Sequence, residues 1–157
     1  MIFVTLGSQK FQFNRILKEI DYLIEKNVIQ EKVFAQIGAS TYSPKLYEYK
    51  NFLNQNEFNQ IMNQSSLVIT HAGTGAIITA LKSHKKVIAI PRLCKYNEHV
   101  DDHQLQILEV FTSQNYIYGI TDIKKLEEAL IAIKKKNFCE FKSNNLKFLE
   151  DLEKELL

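Results

Sequence analysis

Short apolar runs that stop at a glycine or a proline recur along this chain, and segments of helical periodicity separate them. Met1–Leu6 runs into Gly7-Ser8, Val33–Ile37 into Gly38, Leu67–Thr70 into a Gly-rich turn, Val87–Ile90 into Pro91, and Tyr116–Tyr118 into Gly119. Continuous rather than alternating hydrophobicity marks strands buried on both faces. A further short strand is expected around Lys50–Leu53. Phe13, Ile16, Leu17, Ile20, Leu23 and Ile24 recur at three- and four-residue steps, which predicts a helix over about Phe11–Lys26. Helices are also expected at Phe58–Met62, Ala76–Ser83, Val100–Phe111 and Leu126–Ile133. Strands alternating with helices imply an α/β fold, a Rossmann-like parallel sheet with helices on both faces. At 157 residues the chain reads as a single domain, 1–157. Leu146, Leu149, Leu152 and Leu156 give it a C-terminal amphipathic helix over about 143–157, which packs on its own core or docks to a partner.

Composition removes several classes. A net charge of +2 is too small to argue for nucleic acid, and Lys134-Lys135-Lys136 reads as a solvated helix end or as a local patch that favours an anionic surface. No apolar run reaches the roughly 18 residues of a membrane span, and Met1–Thr5 lacks the flanks of a signal peptide. A cytoplasmic location is expected. The two cysteines, Cys94 and Cys139, are too far apart in sequence for a CxxC pair.

All five glycines follow expected strands, which marks one sheet edge as the working edge. Two of them lie in Thr70-His71-Ala72-Gly73-Thr74-Gly75, between a buried strand and a helix. Such a turn leaves backbone N–H groups free at a helix N-terminus, where the dipole favours an anion. Gly73 and Gly75 would let a diphosphate approach, and Thr74 adds a hydroxyl or a cap. The alternative is a plain turn whose glycines only supply positive φ. No GxxxxGK[ST] is present, and GxG without a third glycine is a weak dinucleotide fingerprint.

Asn97-Glu98-His99-Val100-Asp101-Asp102-His103-Gln104 brings a second polar set to the same edge. On a helix His99 and His103 would share a face and could hold a metal with Glu98 or Asp102. A capped helix start is a second reading. Recognition of sugar hydroxyls by fixed carboxylate and amide groups is the third.

Gly7-Ser8 after the first strand, THAGTGAIITAL, KKVIAIPR and NEHVDDHQLQ, in this order and spacing, resemble the C-terminal domain of family 28 glycosyltransferases. The stand-alone small subunits of two-part enzymes are the nearer likeness: the dolichol-linked N-acetylglucosamine transferase of eukaryotes and bacterial capsule and exopolysaccharide counterparts. The resemblance runs from Met1 to about Leu130. It implies half of a GT-B enzyme that holds a UDP-sugar as substrate and requires no cofactor or metal. A separate membrane-anchored subunit would bind the lipid-linked saccharide acceptor and recruit this chain to the inner face of the membrane.

The resemblance also implies roles. His71, Ala72, Gly73, Thr74 and Gly75 would lie against the donor diphosphate, with Gly7 and Ser8 approaching from the neighbouring strand. Asp102 and Gln104 would stand near the donor sugar, with Asn97, Glu98, His99 and His103 shaping that loop. The backbone at Phe52 and Leu53 would meet the uracil. The implied reaction is an inverting transfer of a hexose or N-acetylhexosamine to a polyprenyl-diphosphate-linked sugar. Its general base is expected on the partner, with His71 a lesser candidate. Relatives often carry a glutamate for the ribose hydroxyls where this chain has Thr79, and a glycine where it has His84. Thr79 keeps open a non-catalytic binding or activating subunit. A metal-assisted hydrolase using His99 and His103 is the reading outside the family.

Overall fold

The computed structural model describes residues 1–142, 148, 150 and 152. Among the described residues six strands form one sheet: β1 Ile2–Thr5, β2 Val33–Gln36, β3 Glu48–Lys50, β4 Leu67–His71, β5 Lys86–Ile90 and β6 Tyr118–Gly119. Their order is β3-β2-β1-β4-β5-β6, and every pairing is parallel. This is the doubly wound Rossmann arrangement, in which connections leave β1 towards one edge and return through β4 towards the other. A crevice opens outside the carboxyl ends of β1 and β4, where the order reverses.

Helices α1 Asn14–Glu25, α2 Gln55–Gln64, α3 Thr74–Lys82, α4 His103–Ser113 and α5 Leu126–Ala132 cover the sheet. Alternate strand residues sort to opposite faces because strand side chains repeat every second position. Ile2, Val4, Val33, Ala35, Ile69 and Ile88 pack with Ile16, Leu17, Ile20 and Leu23 of α1 and with Leu126, Ala129 and Leu130 of α5. Phe3, Val68, Val87 and Ala89 pack with Met62 of α2, Ile77, Ala80 and Leu81 of α3, and Ile107, Leu108 and Phe111 of α4. Strands buried on both sides explain why their sequences run apolar without alternation.

The expected elements shift at their ends. The edge strand β3 is Glu48–Lys50, and Phe52 and Leu53 fall in the loop beyond it. Asn54 then starts α2 with a reciprocal capping box to Glu57, so the chain turns sooner than apolar content alone suggested. α1 starts at Asn14 rather than Phe11, because the Phe11 and Gln12 carbonyls are taken by the Arg92 guanidinium. α4 starts at His103 rather than Val100, whose side chain is exposed. Gly119 closes β6 instead of following it, and a Cβ there would meet Leu108 and Thr112 of α4.

His84 sits just past α3 at φ 59°, the left-handed position that glycine usually occupies. In the C-terminal segment Phe148, Glu150 and Leu152 are helical, and Phe148 and Leu152 are buried against the α4 side of the core. Leu146, Leu149 and Leu156 of the expected amphipathic stripe lie outside the described residues.

Candidate functional site

A cavity of about 440 Å³ occupies the crevice between the ends of β1 and β4. Gly7, Ser8 and Gln9 form one wall, Leu53, Gln55 and Phe58 another, and His71, Gly73, Thr74, Gly75, Ala76 and Thr79 a third, above Thr5 and Gln36. A larger cavity, about 740 Å³, opens among Ile2, Val28, Leu67, Lys86 and Leu130 at the opposite end of the strands. Ligands of parallel α/β sheets bind at the carboxyl ends, and of these two cavities only the smaller meets Gly7, Gly73 and Gly75.

The turn after β4 is built around the His71 ring. His71 is 6% exposed, and burial, reinforced by Arg92, brings its pKa down to about 3. The ring is therefore neutral near pH 7. The Arg92 backbone N–H donates to Gln104 Oε1 (3.0 Å), which turns the Gln104 amide nitrogen towards His71 Nδ1, 3.3 Å away. With Nδ1 accepting, Nε2 carries the proton. Nε2 lies next to Gly7, where a Cβ would fall 2.8 Å from it.

Glycine is needed here for space rather than for positive φ. Gly73 is extended, at φ −90° and ψ 134°, and a Cβ on it would overlap the His71 ring. Only Gly7 and Gly38 among the glycines are left-handed. Gly75 differs again: it is exposed at the cavity wall, and a Cβ on it would meet nothing within 4 Å. The first backbone bond into α3 is Ile77 N–H to the Gly73 carbonyl, so the N–H groups of Thr74, Gly75 and Ala76 precede it at the helix start. Thr79 lines the same wall, with its hydroxyl donating to the Gly75 carbonyl (2.8 Å).

The structure divides the residues that the sequence grouped. Gly7, Ser8, Leu53, His71, Gly73, Thr74, Gly75 and Thr79 share the cavity. Ala72 lies in the core beneath it, its N–H donating to the Ile90 carbonyl. Phe52 is 55% exposed outside the cavity wall. Gln104 is buried behind His71 and reaches the cavity only through that ring.

The loop after β5 spends its polar groups internally. Glu98 is 1% exposed and accepts from Arg15 Nε (3.0 Å), Arg15 Nη2 (3.1 Å) and the Leu93 N–H (3.0 Å). Arg92, equally buried, donates to the carbonyls of Leu6, Phe11 and Gln12 and lies over the Phe13 ring. Burial brings its pKa down to about 10 against the opposing pull of Glu98. Asn97 adopts φ 58° after the Cys94–Tyr96 turn, and Asp102 accepts from the Cys94 N–H (2.7 Å).

His99 and His103 are not on one helix, since α4 begins only at His103, yet their ring centroids are 5.0 Å apart. Asp101 joins them through one oxygen, 3.2 Å from His99 Nδ1 and 2.5 Å from His103 Nδ1. The three side chains have metal-ligand chemistry, with Asp101 in the place that Glu98 and Asp102 were expected to fill.

Sequence reasoning missed Thr5, Gln36, Arg92 and Asp101. For the first two a signal existed. The apolar strands turn polar at their carboxyl ends, at Thr5, Gln36 and Thr70-His71, and Thr5, Gln36 and His71 line the crevice.

The sequence model of the glycosyltransferase family 28 C-terminal domain matches residues 1–156. The chain belongs to that family. It is 38% identical over 77 residues to the UDP-N-acetylglucosamine transferase subunit ALG13 of Candida albicans, covering 49% of this chain and 25% of the relative. To the protein of the same name in Candida glabrata it is 31% identical over 104 residues, 64% of this chain and half of that one. The matched stretches thus span half or less of these curated relatives.

Two solved structures share the fold. The solution structure of ALG13 superposes with a TM-score of 0.59 at 20% identity, covering 95% of this chain and 92% of that one. The glycosyltransferase of kitacinnamycin superposes with a TM-score of 0.65 at 17% identity, covering 99% of this family 28 domain and 38% of that chain. The architecture is that of one half of a GT-B glycosyltransferase.

Proposed function

We propose that this family 28 domain is the UDP-sugar-binding catalytic subunit of a two-component inverting glycosyltransferase. It transfers a hexose or N-acetylhexosamine to a polyprenyl-diphosphate-linked saccharide in surface polysaccharide synthesis. A membrane-anchored partner supplies the acceptor site. The carrying observation is the cavity at the β1–β4 switch, where the start of α3, the neutral His71 and the vacant side of Gly75 converge. The relatives' name, UDP-N-acetylglucosamine transferase subunit, supports both the donor class and the dependence on a second chain. No described helix is long and apolar enough to cross a membrane, so attachment at the inner face through the partner is part of the proposal.

In this reading the diphosphate lies against the N–H groups of Thr74, Gly75 and Ala76. The bond from the sugar's anomeric carbon to the β-phosphate oxygen breaks, and its electron pair stays on that oxygen. The new bond forms from the acceptor hydroxyl, on the opposite face of the sugar ring. Negative charge grows on the leaving UDP, where the helix N–H groups and the His71 Nε2–H stabilise it without a metal. The hydroxyl's proton passes to a base on the partner. His71 is ill suited to be that base, because its Nδ1 is taken by Gln104 and its pKa of about 3 makes it a weak acceptor of protons.

Titration of the chain with UDP and a panel of UDP-hexoses tests the proposal, with Gly75→Val as the blocked control. Valine there adds bulk at the cavity wall, and its Cβ meets no protein atom within 4 Å, unlike a Cβ at Gly73. UDP binding to the wild type and at least about tenfold weaker binding to Gly75→Val, or 1.4 kcal/mol, is expected. Equal binding by both moves the nucleotide elsewhere.

One observation favours a second reading, a binding or activating subunit without turnover. The Thr79 hydroxyl donates to the Gly75 carbonyl, and a threonine brings no carboxylate to this wall for ribose hydroxyls. Thr79→Glu separates the two: sharply tighter UDP binding and faster transfer in the complex would mark a degraded donor site.

A further inference from the structure

Gln36 Oε1 and Arg92 Nε are the buried side-chain polar atoms without a hydrogen-bond partner among the described residues. Arg92 is held through its other nitrogens and stacked on Phe13. Gln36 has no such account. It ends β2, is 7% exposed, and forms part of the cavity floor beside Thr5. A carboxamide oxygen removed from water with no donor is costly, and a persistent case calls for a missing partner.

The position in the sheet says what kind of partner fits. Phosphate oxygens are acceptors and gain nothing from another acceptor. The anion-binding turn follows β4, two strands from β2 across β1, or roughly 10 Å at the usual strand spacing. A nucleoside whose diphosphate rests on that turn has this length to cross. Over Gln36 the wall is made by Leu53, Gln55 and Phe58, apolar surface with one amide, which suits a flat heterocycle and its ribose.

We propose that Gln36 is a specificity-determining residue of the donor site, whose carboxamide oxygen accepts a hydrogen bond from the nucleoside part of the UDP-sugar. The donor is the uracil imide N–H or a ribose hydroxyl, and in both cases it satisfies the orphaned oxygen. Rotation about the last side-chain bond, a broad torsion in glutamine, exchanges the two ends of the carboxamide, which lets the oxygen take the cavity side when a donor is bound. The inference rests on the UDP-sugar reading and assigns to Gln36 a contact that His71 and the α3 turn do not make.

The test is titration of the wild type, Gln36→Leu and Gln36→Met with UDP, N3-methyl-UDP, 2′-deoxy-UDP and 3′-deoxy-UDP, beside urea unfolding of each chain without ligand. Both variants should bind UDP about five- to thirtyfold more weakly, as for a lost buried hydrogen bond. They should nevertheless unfold at a higher urea concentration than the wild type, since the unpaired oxygen is gone. Against the probe that lacks the paired donor, wild type and variants should bind equally, and which probe does so assigns the contact to base or ribose. Undiminished UDP binding by the folded variants overturns the inference while leaving the cavity's reading intact. A variant penalty that persists for every probe overturns it too, because Gln36 then acts by packing. Failure of the wild type itself to bind UDP overturns the reading of the cavity.

Discussion

The turn after β4 and the loop after β5 both carry conspicuous polar residues to the same sheet edge, but they use them in opposite directions. In the first, a neutral histidine is wedged between Gly7 and Gly73, and its free N–H and the start of α3 border an open cavity. In the second, Glu98, Arg15 and Arg92 turn inward and tie β5 to the loop that follows β1. A motif's residue types show that polar groups are needed at an edge. They do not show whether a ligand or the protein itself uses them.

The sharpest way to break this contrast is Glu98→Ala. It leaves Arg92 and Arg15 facing no carboxylate in a buried place, and a loss of about 3–5 kcal/mol in urea unfolding is expected. UDP affinity of the remaining folded protein should change little. A large loss of affinity with stability intact would place Glu98 at the ligand after all.

The turn after β4 should answer to pH instead. His71 titrates near 6.5 when unfolded and at about 3 when folded, so below 6.5 the unfolded chain takes up the proton first. Stability contributed by its neutral burial is complete above about pH 6.5 and falls by about 1.4 kcal/mol per pH unit as the pH drops towards 3. Urea unfolding at pH 7.5 and 5.5 should show a steeper decline for the wild type than for His71→Asn. Equal declines would mean that the ring is not held neutral.

Within that turn the two glycines should part company. Gly73→Ala drives a methyl into the His71 ring and is expected to cost about 1–3 kcal/mol, as overpacking does. Gly75→Ala meets nothing and should stay within about 1 kcal/mol of the wild type by thermal unfolding. Matching losses would refute the packing account of Gly73. The smallest effect belongs to the His99, Asp101 and His103 group: dialysis against EDTA should leave UDP affinity unchanged. A loss restored by zinc would instead give that group a functional metal.

Much of the scaffold could be read directly. Apolar runs at β1, β2, β4 and β5 located those strands, and the stripe of α1 was legible because Ile16, Leu17, Ile20 and Leu23 face one core. The errors cluster at element ends. Val100 looked helical by hydrophobicity but lies exposed in a loop, and the Asn54 capping box displaced the expected strand from Phe52 and Leu53. Of the site, the glycine turn stood out, whereas Gln36 and Arg92 passed as ordinary strand and loop residues. Their importance lies in partners distant in sequence: Arg92 meets Leu6, Phe11 and Gln12, and Gln36 faces a cavity whose other walls follow β1, β3 and β4.

By itself the sequence determined the class of fold and the edge that carries the glycine turns, because hydrophobic period and glycine spacing are local properties of the chain, and its motifs carried the likeness to the family that the family model then matched. Only the tertiary structure decided why Gly73 must be glycine, which nitrogen of His71 carries the proton, that Glu98 belongs to the scaffold, and that Gln36 faces the cavity unpartnered. Each of those depends on the burial and distance of groups tens of residues apart, and burial and distance decide what a polar group is worth.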